Sequence, residues 1–326
     1  MVIGLGMMGR HHARILQSST RVQFAGAVDP GGDRWGAVRD EALVFATLEQ
    51  ALAAGTVDFA IVSVPTEDHP SIAATLAASG IHMLIEKPLA ATADAARDII
   101  AACEAGGVVG AVGHVERFNP ALVELRRRIA AGQLGEVFLI ATERVGPFPD
   151  RIRDVGVVKD LATHDLDLVR WLSDSPVERL SAQTQHRMGR EHEDLVLVNG
   201  SLVSGVSFTC VVDWLSPTKV RRTRVLGERG MLIADTLTAD LSFYANGDVA
   251  SEWGATQALR GVSEGDMTRY ALSRREPLLA EVEAFIDLIE GQPSDIVTLD
   301  QGLGVVTVAE AVLGSAAERR TVELSG

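Results

Sequence analysis

The feature that most constrains this 326-residue chain is its beginning. Gly4-Leu5-Gly6-Met7-Met8-Gly9 follows the apolar run Met1–Ile3 and leads into a helical stretch, Arg10–Gln17. A glycine-rich turn alone says little. This one stands between a strand and a helix, and Asp29 closes the next apolar run, Val22–Val28, about 20 residues further on. The combination is the fingerprint of a βαβ unit that binds a dinucleotide. Gly4 admits a tight turn, Gly6 lets backbone approach a pyrophosphate, and Gly9 lets the helix pack close to the strand. The helix start, with Met7 and Met8, offers its N–H groups to phosphate. Asp29 would bind the adenosine ribose hydroxyls and repel a 2′-phosphate, which favours NAD; Arg34 nearby leaves NADP open. Asp29-Pro30-Gly31-Gly32 also reads as a turn, and both roles can hold. The strand before Gly4 is short against an ordinary length of about 5–6 residues. Either it is short in the fold, or the natural start lies upstream of Met1.

Up to about residue 113, short apolar runs alternate with helical stretches: strands at Asp58–Val64, Ile81–Ile85 and Val108–Gly113, helices at Leu48–Ala54, Ser71–Ala78 and Thr92–Ala105. Unbroken apolar strands between helices predict a parallel sheet covered on both faces. Beyond that point the pattern changes. Helices are expected at Pro120–Ala131 and Leu161–Leu172, with a strand at Val137–Thr142 between them. Strands then follow without helices between them: Leu180–Gln185, Leu195–Val198, Val203–Trp214, Val220–Leu226, Gly230–Ala234 and Leu241–Ala245. Helices close the chain at Glu276–Glu290 and Gln301–Ala317. The expected architecture is α/β: a doubly wound parallel domain over residues 1–117, then an α/β domain with an open, mostly antiparallel sheet over 118–326. The formal net charge of −14 argues against nucleic acid or an anionic membrane as partner. No apolar run is long enough to span a bilayer and no secretory leader is evident, so the cytoplasm is the expected compartment. Cys103 and Cys210 read as buried, reduced residues, and no pattern of metal ligands occurs.

A second cluster lies at strand ends, where ligands bind in open α/β sheets. Val64-Pro65-Thr66 follows one strand, and Glu86-Lys87-Pro88 follows the next. In the second half, Asp160 and His164 stand four apart at the start of a helix, a spacing that puts both on one face. Together with the glycine loop, these motifs resemble the Gfo/Idh/MocA family over essentially the whole chain. The resemblance implies a Rossmann domain joined to an open-sheet α/β domain, and an NAD(P)-dependent oxidoreductase acting on sugars. It implies Lys87, Asp160 and His164 as catalytic residues. It also implies that Val64, Pro65, Thr66, His69, Glu86, Lys87 and His114 line the cofactor, with Arg117 and Asn119 at the domain junction touching cofactor or substrate. The remaining histidines, His11, His12, His82, His186 and His192, read as ordinary helix, strand or loop residues.

Three longer strings, Gly113–Pro120, Gly146–Val157 and Asp213–Arg221, resemble the UDP-N-acetylglucosamine 3-dehydrogenase branch of that family. The branch implies oxidation of C3 of a UDP-N-acetylhexosamine to a ketone. Arg151, Arg153, Lys219 and Arg221 are the cations suited to a diphosphate, and each reads equally well as solvated surface. One stretch departs: where the branch carries an aromatic and a glutamine after the aspartate, this chain has Asp235-Thr236-Leu237-Thr238-Ala239. Another sugar, an inositol or a different nucleotide sugar therefore stays open, as does a non-catalytic NAD-sensing regulator. In the reaction, His164 takes the hydroxyl proton, Asp160 orients the ring and Lys87 stabilises the developing oxyanion; Lys87 as the base is the alternative. One face of the antiparallel sheet carries apolar residues, which predicts a homodimer or homotetramer.

Overall fold

The computed structural model describes residues 1–149, 155–247 and 264–324. They form two compact units. The first comprises Met1–Val115 and Glu276–Thr307, the second Glu116–Arg275 and Val308–Gly326. A single division at residue 117 therefore misses the return of the chain. Residues 276–307 rejoin the first unit because β15, Val297–Thr298, adds antiparallel to the strand β6, Gly110–Gly113, and Phe285 of the helix before it packs edge-on against Phe59.

The sheet of the first unit has the order β15-β6-β5-β4-β1-β2-β3, with every pair parallel except β15 on β6. Its strands are β1 Val2–Ile3, β2 Ala27–Val28, β3 Val44–Phe45, β4 Phe59–Val62, β5 His82–Glu86 and β6 Gly110–Gly113. Helices α1 Gly9–Ser18, α2 Leu48–Ala54, α3 His69–Ala78 and α4 Ala93–Gly106 connect them. The buried runs Ala60-Ile61-Val62 and Met83-Leu84-Ile85 are apolar on both sides of the pleat, as the sequence predicts for strands covered twice. The strand order reverses between β1 and β4, so the loops after them open the crevice in which such sheets bind ligands. β1 is two residues long.

The second unit carries a nine-stranded sheet, ordered β14-β13-β12-β11-β7-β10-β9-β8-β16. Its strands are β7 Val137–Pro147, β8 Val177–Gln185, β9 Leu195–Leu202, β10 Ser207–Asp213, β11 Leu215–Gly227, β12 Gly230–Asp235, β13 Asp240–Asn246, β14 Glu264–Arg269 and β16 Val322–Glu323. All neighbours are antiparallel except β7 and β10. Helices α5 Pro120–Ala130 and α6 Thr163–Ser173, with Val308, Ala309 and Val312 of the last helix, cover one face. Leu122, Leu125, Leu166 and Val169 meet Phe208, Val225 and Leu232 there. The alternation is regular on β11, where Thr223 and Val225 are buried while Arg224 between them is exposed. The return helix α7, Pro277–Ile289, and α8, Leu299–Glu318, complete the chain. No helix among the described residues is long and apolar enough to cross a membrane.

Candidate active site

In the first unit the glycine loop is built as its residues dictate. Gly4 has φ +89°, and a Cβ there would lie 2.7 Å from the Ser63 carbonyl oxygen on the neighbouring strand end. A Cβ on Gly9 would lie 1.8 Å from the Gly4 carbonyl oxygen, so α1 can meet β1 this closely only through glycine. Gly6 is exposed, and a Cβ added there would meet nothing within 4 Å, which is the open side that a pyrophosphate needs. Met8 stands at the N-cap of α1 without a side-chain cap, and the first turn holds no acidic residue. Helices α2 and α4 differ: Thr47 and Thr92 cap them, and each has an acid in its first turn. A helix start left bare in this way can receive an external anion. Met7 is 44% exposed beside it.

Asp29 accepts from the backbone N–H of Leu5 at 2.8 Å and of Gly31 at 2.7 Å, tying the glycine loop to the turn after β2. A cavity of about 590 Å³ runs along this edge, lined among others by Gly4, Gly6, Asp29, Val64 and Pro65. A slightly larger one, about 650 Å³, lies at the other end of the strands around Met1, Phe24 and Phe59, away from the loops that carry the chemistry. The residues of the first cavity fit a dinucleotide: a bare helix start, a glycine with open space, and a carboxylate at the end of the second strand.

Further along the same strand ends, Glu86 closes β5 and Lys87 follows it, half-buried. The Lys87 N–H donates to Glu86 Oε2 at 3.2 Å, and the Lys87–Pro88 peptide is cis. Glu86 Oε1 lies 2.8 Å from Nε2 of His12, which is 1% exposed in α1. The sequence assigns His12 no role, because its partner lies 74 residues away. His69 is buried, and its ring nitrogens face the carbonyl oxygens of Leu89 (3.1 Å) and Val64 (3.2 Å). It binds two site loops together instead of presenting its ring to a cofactor. Burial lowers its pKa, with the two carbonyls and Glu86 acting in the opposite direction. Thr66 begins a short 3-10 turn after Pro65, and His114 is buried at the end of β6.

In the second unit Asp160 sits in a π-helical turn, Val158–Ala162, that runs into α6 with His164 in its first turn. The sequence predicts an α-helix from Leu161 onward and no wider turn before it. Glu193 caps the start of that turn: its buried carboxylate accepts from Val158 N–H at 2.9 Å while its carbonyl accepts from Val157 N–H at 3.0 Å. Gly156 makes the room, since a Cβ there would lie 2.1 Å from the Glu193 carboxyl. Such turns inside helices are frequent at functional sites. Behind them, buried Arg144 donates to Asp165 at 2.7 Å and to Glu116 at 3.1 Å. Burial works to raise Asp165 above the usual carboxylate range, and Arg144 opposes it. Glu193, Arg144, Asp165 and Glu116 are supports that sequence reasoning misses. No local motif marks them, because each partner is brought in from another element.

Arg221, half-buried on β11, donates through Nη1 to the carbonyls of Val145 (2.6 Å) and Val220 (2.7 Å). Burial and then Arg144 lower its pKa, while the charges of Asp165, Glu116 and Asp160 pull it back. Lys219 on the same strand is exposed, and Arg151 and Arg153 lie outside the described residues. Two expected ligand contacts are corrected. Arg117 is 5% exposed and its guanidinium forks onto Asp167 at 2.8 and 2.5 Å, within the second unit. Asn119 caps α5, accepting from Ala121 N–H at 3.0 Å and donating to the Thr236 carbonyl at 3.1 Å. Both side chains have internal work. Asp167→Ala removes the buried carboxylate onto which the Arg117 guanidinium forks and is expected to cost about 3–5 kcal/mol of stability, read by denaturant unfolding. A loss under ~1 kcal/mol would return Arg117 to a ligand-facing role.

Residues 1–114 match the description "Oxidoreductase family, NAD-binding Rossmann fold", and residues 122–233 match the "GFO/IDH/MocA C-terminal domain". The chain belongs to the Gfo/Idh/MocA family. It is an oxidoreductase, and its first unit is an NAD-binding Rossmann domain. Among relatives of this family, the chain is similar to UDP-N-acetylglucosamine 3-dehydrogenase from Acidithiobacillus ferrooxidans, 29% identical over 88% of this chain and 87% of that one. The crystal structure of that enzyme superposes with a TM-score of 0.84, covering 97% of this chain and 96% of the other at 26% identity. Myo-inositol dehydrogenase Hyg17 from Streptomyces leeuwenhoekii is 28% identical over 90% of this chain and 89% of its own. GenD2 from gentamicin A biosynthesis, solved in complex with NAD, superposes with a TM-score of 0.80 at 27% identity, covering 100% of this chain and 95% of its own. Cys103 and Cys210 are buried and free, and burial pushes their thiols up to about 11 and about 12, so neither supplies a nucleophile at neutral pH.

Proposed function

We propose that this enzyme oxidises a secondary hydroxyl of a sugar to a ketone, with C3 of a UDP-N-acetylhexosamine as the substrate position. The observation that carries the reading is the likeness, over nearly the full length of both chains, to the UDP-N-acetylglucosamine 3-dehydrogenase. Lys87 and the pair Asp160 and His164 support it as chemistry. When bound, the nicotinamide supplies the hydride acceptor. His164 takes the hydroxyl proton, Asp160 holds its ring and favours the imidazolium, and Lys87 donates to the oxygen as it gains charge. Gly4, Gly6, Met7, Met8 and Gly9 hold the pyrophosphate, Asp29 the adenosine ribose, and Val64, Pro65 and Thr66 the sheet-edge wall, with His69, Glu86 and His114 buried behind it. Arg221 and Lys219, with Arg151 and Arg153, are the cations for a diphosphate in a chain of net charge −14. The enzyme works in the cytoplasm.

The likeness to Hyg17 and the Asp235–Ala239 stretch favour a second reading, an inositol or another sugar at the same catalytic groups. Titration of UDP alone into the NAD-loaded protein separates the two. Heat of binding with a micromolar constant, weakened about tenfold or more in Arg221→Ala, is the expected result. Absence of UDP binding favours the free sugar or inositol.

We infer further that the open face of the second sheet meets a second copy. Leu139, Leu226, Met231, Tyr244 and Met267 stand in register across β7, β11, β12, β13 and β14, an apolar row in which Met267 is 58% exposed. Light scattering at micromolar concentration is expected to give a dimer or tetramer mass; a monomer mass contradicts it.

A further inference from the structure

Glu281 lies on α7, in the stretch of chain that returns to the first unit. It is 0% exposed, and among the described residues neither carboxyl oxygen has a hydrogen-bond partner. An ionised carboxylate there would be a buried charge without compensation. The charged group that acts on it is Glu86, at the end of β5. Glu86 is already engaged twice, with the His12 ring at 2.8 Å and the Lys87 N–H at 3.2 Å. Nδ1 of His12 is buried without a partner among the described residues, so the ring donates its Nε2–H to Glu86.

The other charges around α7 are accounted for. Glu276 pairs with Arg14 of α1, and Asp287 and Glu290 pair with Arg21. Glu283 is two residues away on the helix and so faces elsewhere. From α3, His69 feels the Glu86 charge while its ring nitrogens face carbonyls. Glu281 and Glu86 are thus two buried carboxyls of the first unit, and the charge of one bears on the other. Two such groups do not both ionise readily. Burial, and after it the Glu86 charge, raises Glu281 well above the ordinary carboxyl range.

We propose that Glu281 is a positioning residue for Lys87: as a neutral carboxylic acid, buried without a partner among the described residues, it leaves Glu86 the charge that holds the His12 ring and the Lys87 backbone. The proposal rests on the reading that Lys87 serves the reacting oxygen. When Glu281 gives up its proton, repulsion between the two carboxylates loosens the bond from Lys87 N–H to Glu86. The turn that carries Lys87 then shifts as Glu281 ionises, at a pH above the ordinary carboxyl range.

Glu281→Gln keeps the shape of the acid and is neutral at every pH. Two readouts that need no substrate test the proposal on the full chain. The first is unfolding. Above the ordinary value of 4.5 the unfolded chain releases the Glu281 proton while the folded chain keeps it. The folded state then binds more protons, so its stability falls as pH rises, until Glu281 ionises in the folded state as well. The variant lacks this loss. Its denaturation midpoint is therefore expected to gain on wild type by a gap that grows as pH rises above 4.5, until Glu281 ionises in the folded state. The gap shrinks in a Glu86→Gln background, because one of its two causes is gone. A gap that does not change with pH overturns the neutral acid.

The second readout is the amide proton resonance of Lys87 in protein labelled with ¹⁵N-lysine, since that N–H donates directly to Glu86. In wild type it is expected to shift with pH above the ordinary carboxyl range, and the shift disappears in Glu281→Gln. A growing stability gap with no change in the Lys87 amide titration would leave Glu281 a buried acid but overturn its positioning role. Neither readout depends on which sugar is oxidised, so failure of the substrate reading leaves both interpretable.

Discussion

Lys87→Ala is expected to lower kcat by about a thousandfold, roughly 4 kcal/mol of transition-state stabilisation, while NAD still binds. The side chain stands at the end of β5, on a turn fixed by Pro88 and by the bond from its own N–H to Glu86. Its ammonium directly follows a strand end of the parallel sheet, where this fold does its chemistry. A donor that strengthens as the oxygen gains charge acts on the transition state, so its loss falls on kcat more than on KM. Lys87→Arg separates the two roles left open by the sequence. A hydrogen-bond donor is partly replaced by guanidinium, whereas a base is not, because arginine does not give up its proton in a protein. Partial recovery in the arginine variant supports the donor role; activity as low as in the alanine variant assigns the base to Lys87. The measurement is steady-state kinetics beside a fluorescence titration of NAD. Wild-type kcat in Lys87→Ala removes the residue from the reaction.

The glycine loop yields the second large effect, and it differs between two neighbouring glycines. Gly9→Ala is expected to destabilise the first unit by about 3 kcal/mol and to abolish NAD binding. The new methyl meets the Gly4 carbonyl at 1.8 Å and Ser63 Oγ at 2.6 Å, and most of that obstruction is backbone. Helix α1 must move off β1, and the N–H groups at its start move with it. Gly6→Ala meets no protein atom within 4 Å and is expected to leave the unfolding midpoint near wild type. Its NAD affinity still falls, by about tenfold or more, because the methyl occupies the space the pyrophosphate uses. Thermal unfolding with and without NAD reads both variants. A Gly6→Ala protein that binds NAD like wild type would place the pyrophosphate elsewhere.

The contrast between those glycines shows what the sequence discloses. Strand, glycine turn, helix and Asp29 are local, so their geometry is legible in the order of residues alone. Helix α2 is expected at Leu48–Ala54 and is found there, because Thr47 and Gly55 punctuate both ends. What escapes is whatever depends on distant partners. β3 and β15 have two residues each, too short for a period to register, and apolar content does not say which sheet a strand will join. The pattern therefore cannot show that residues 276–307 return to the first unit. His12 and Glu281 read as helix residues until the fold brings both to Glu86. Arg117 and Asn119 carry the chemistry of ligand contacts, and the fold uses them for Asp167 and for capping α5 instead. Residue type signals what a side chain can bind, not whether the protein has already bound it. The capping of the turn at Asp160 is the same lesson, since the Glu193 carboxylate reaches Val158 N–H across a separation of 35 residues.

The most direct test of the proposed reaction follows one atom. UDP-N-acetylglucosamine carrying deuterium at C3 is incubated with the protein and NAD, and the reduced cofactor is analysed by mass spectrometry. Deuterium in the NADH, with a 3-keto sugar nucleotide formed in equal amount and both formed about a thousandfold more slowly with Lys87→Ala, is the expected result. Reduced cofactor without deuterium, or no reduced cofactor from this sugar while an unphosphorylated sugar or inositol is turned over, would contradict oxidation at C3 of a nucleotide sugar.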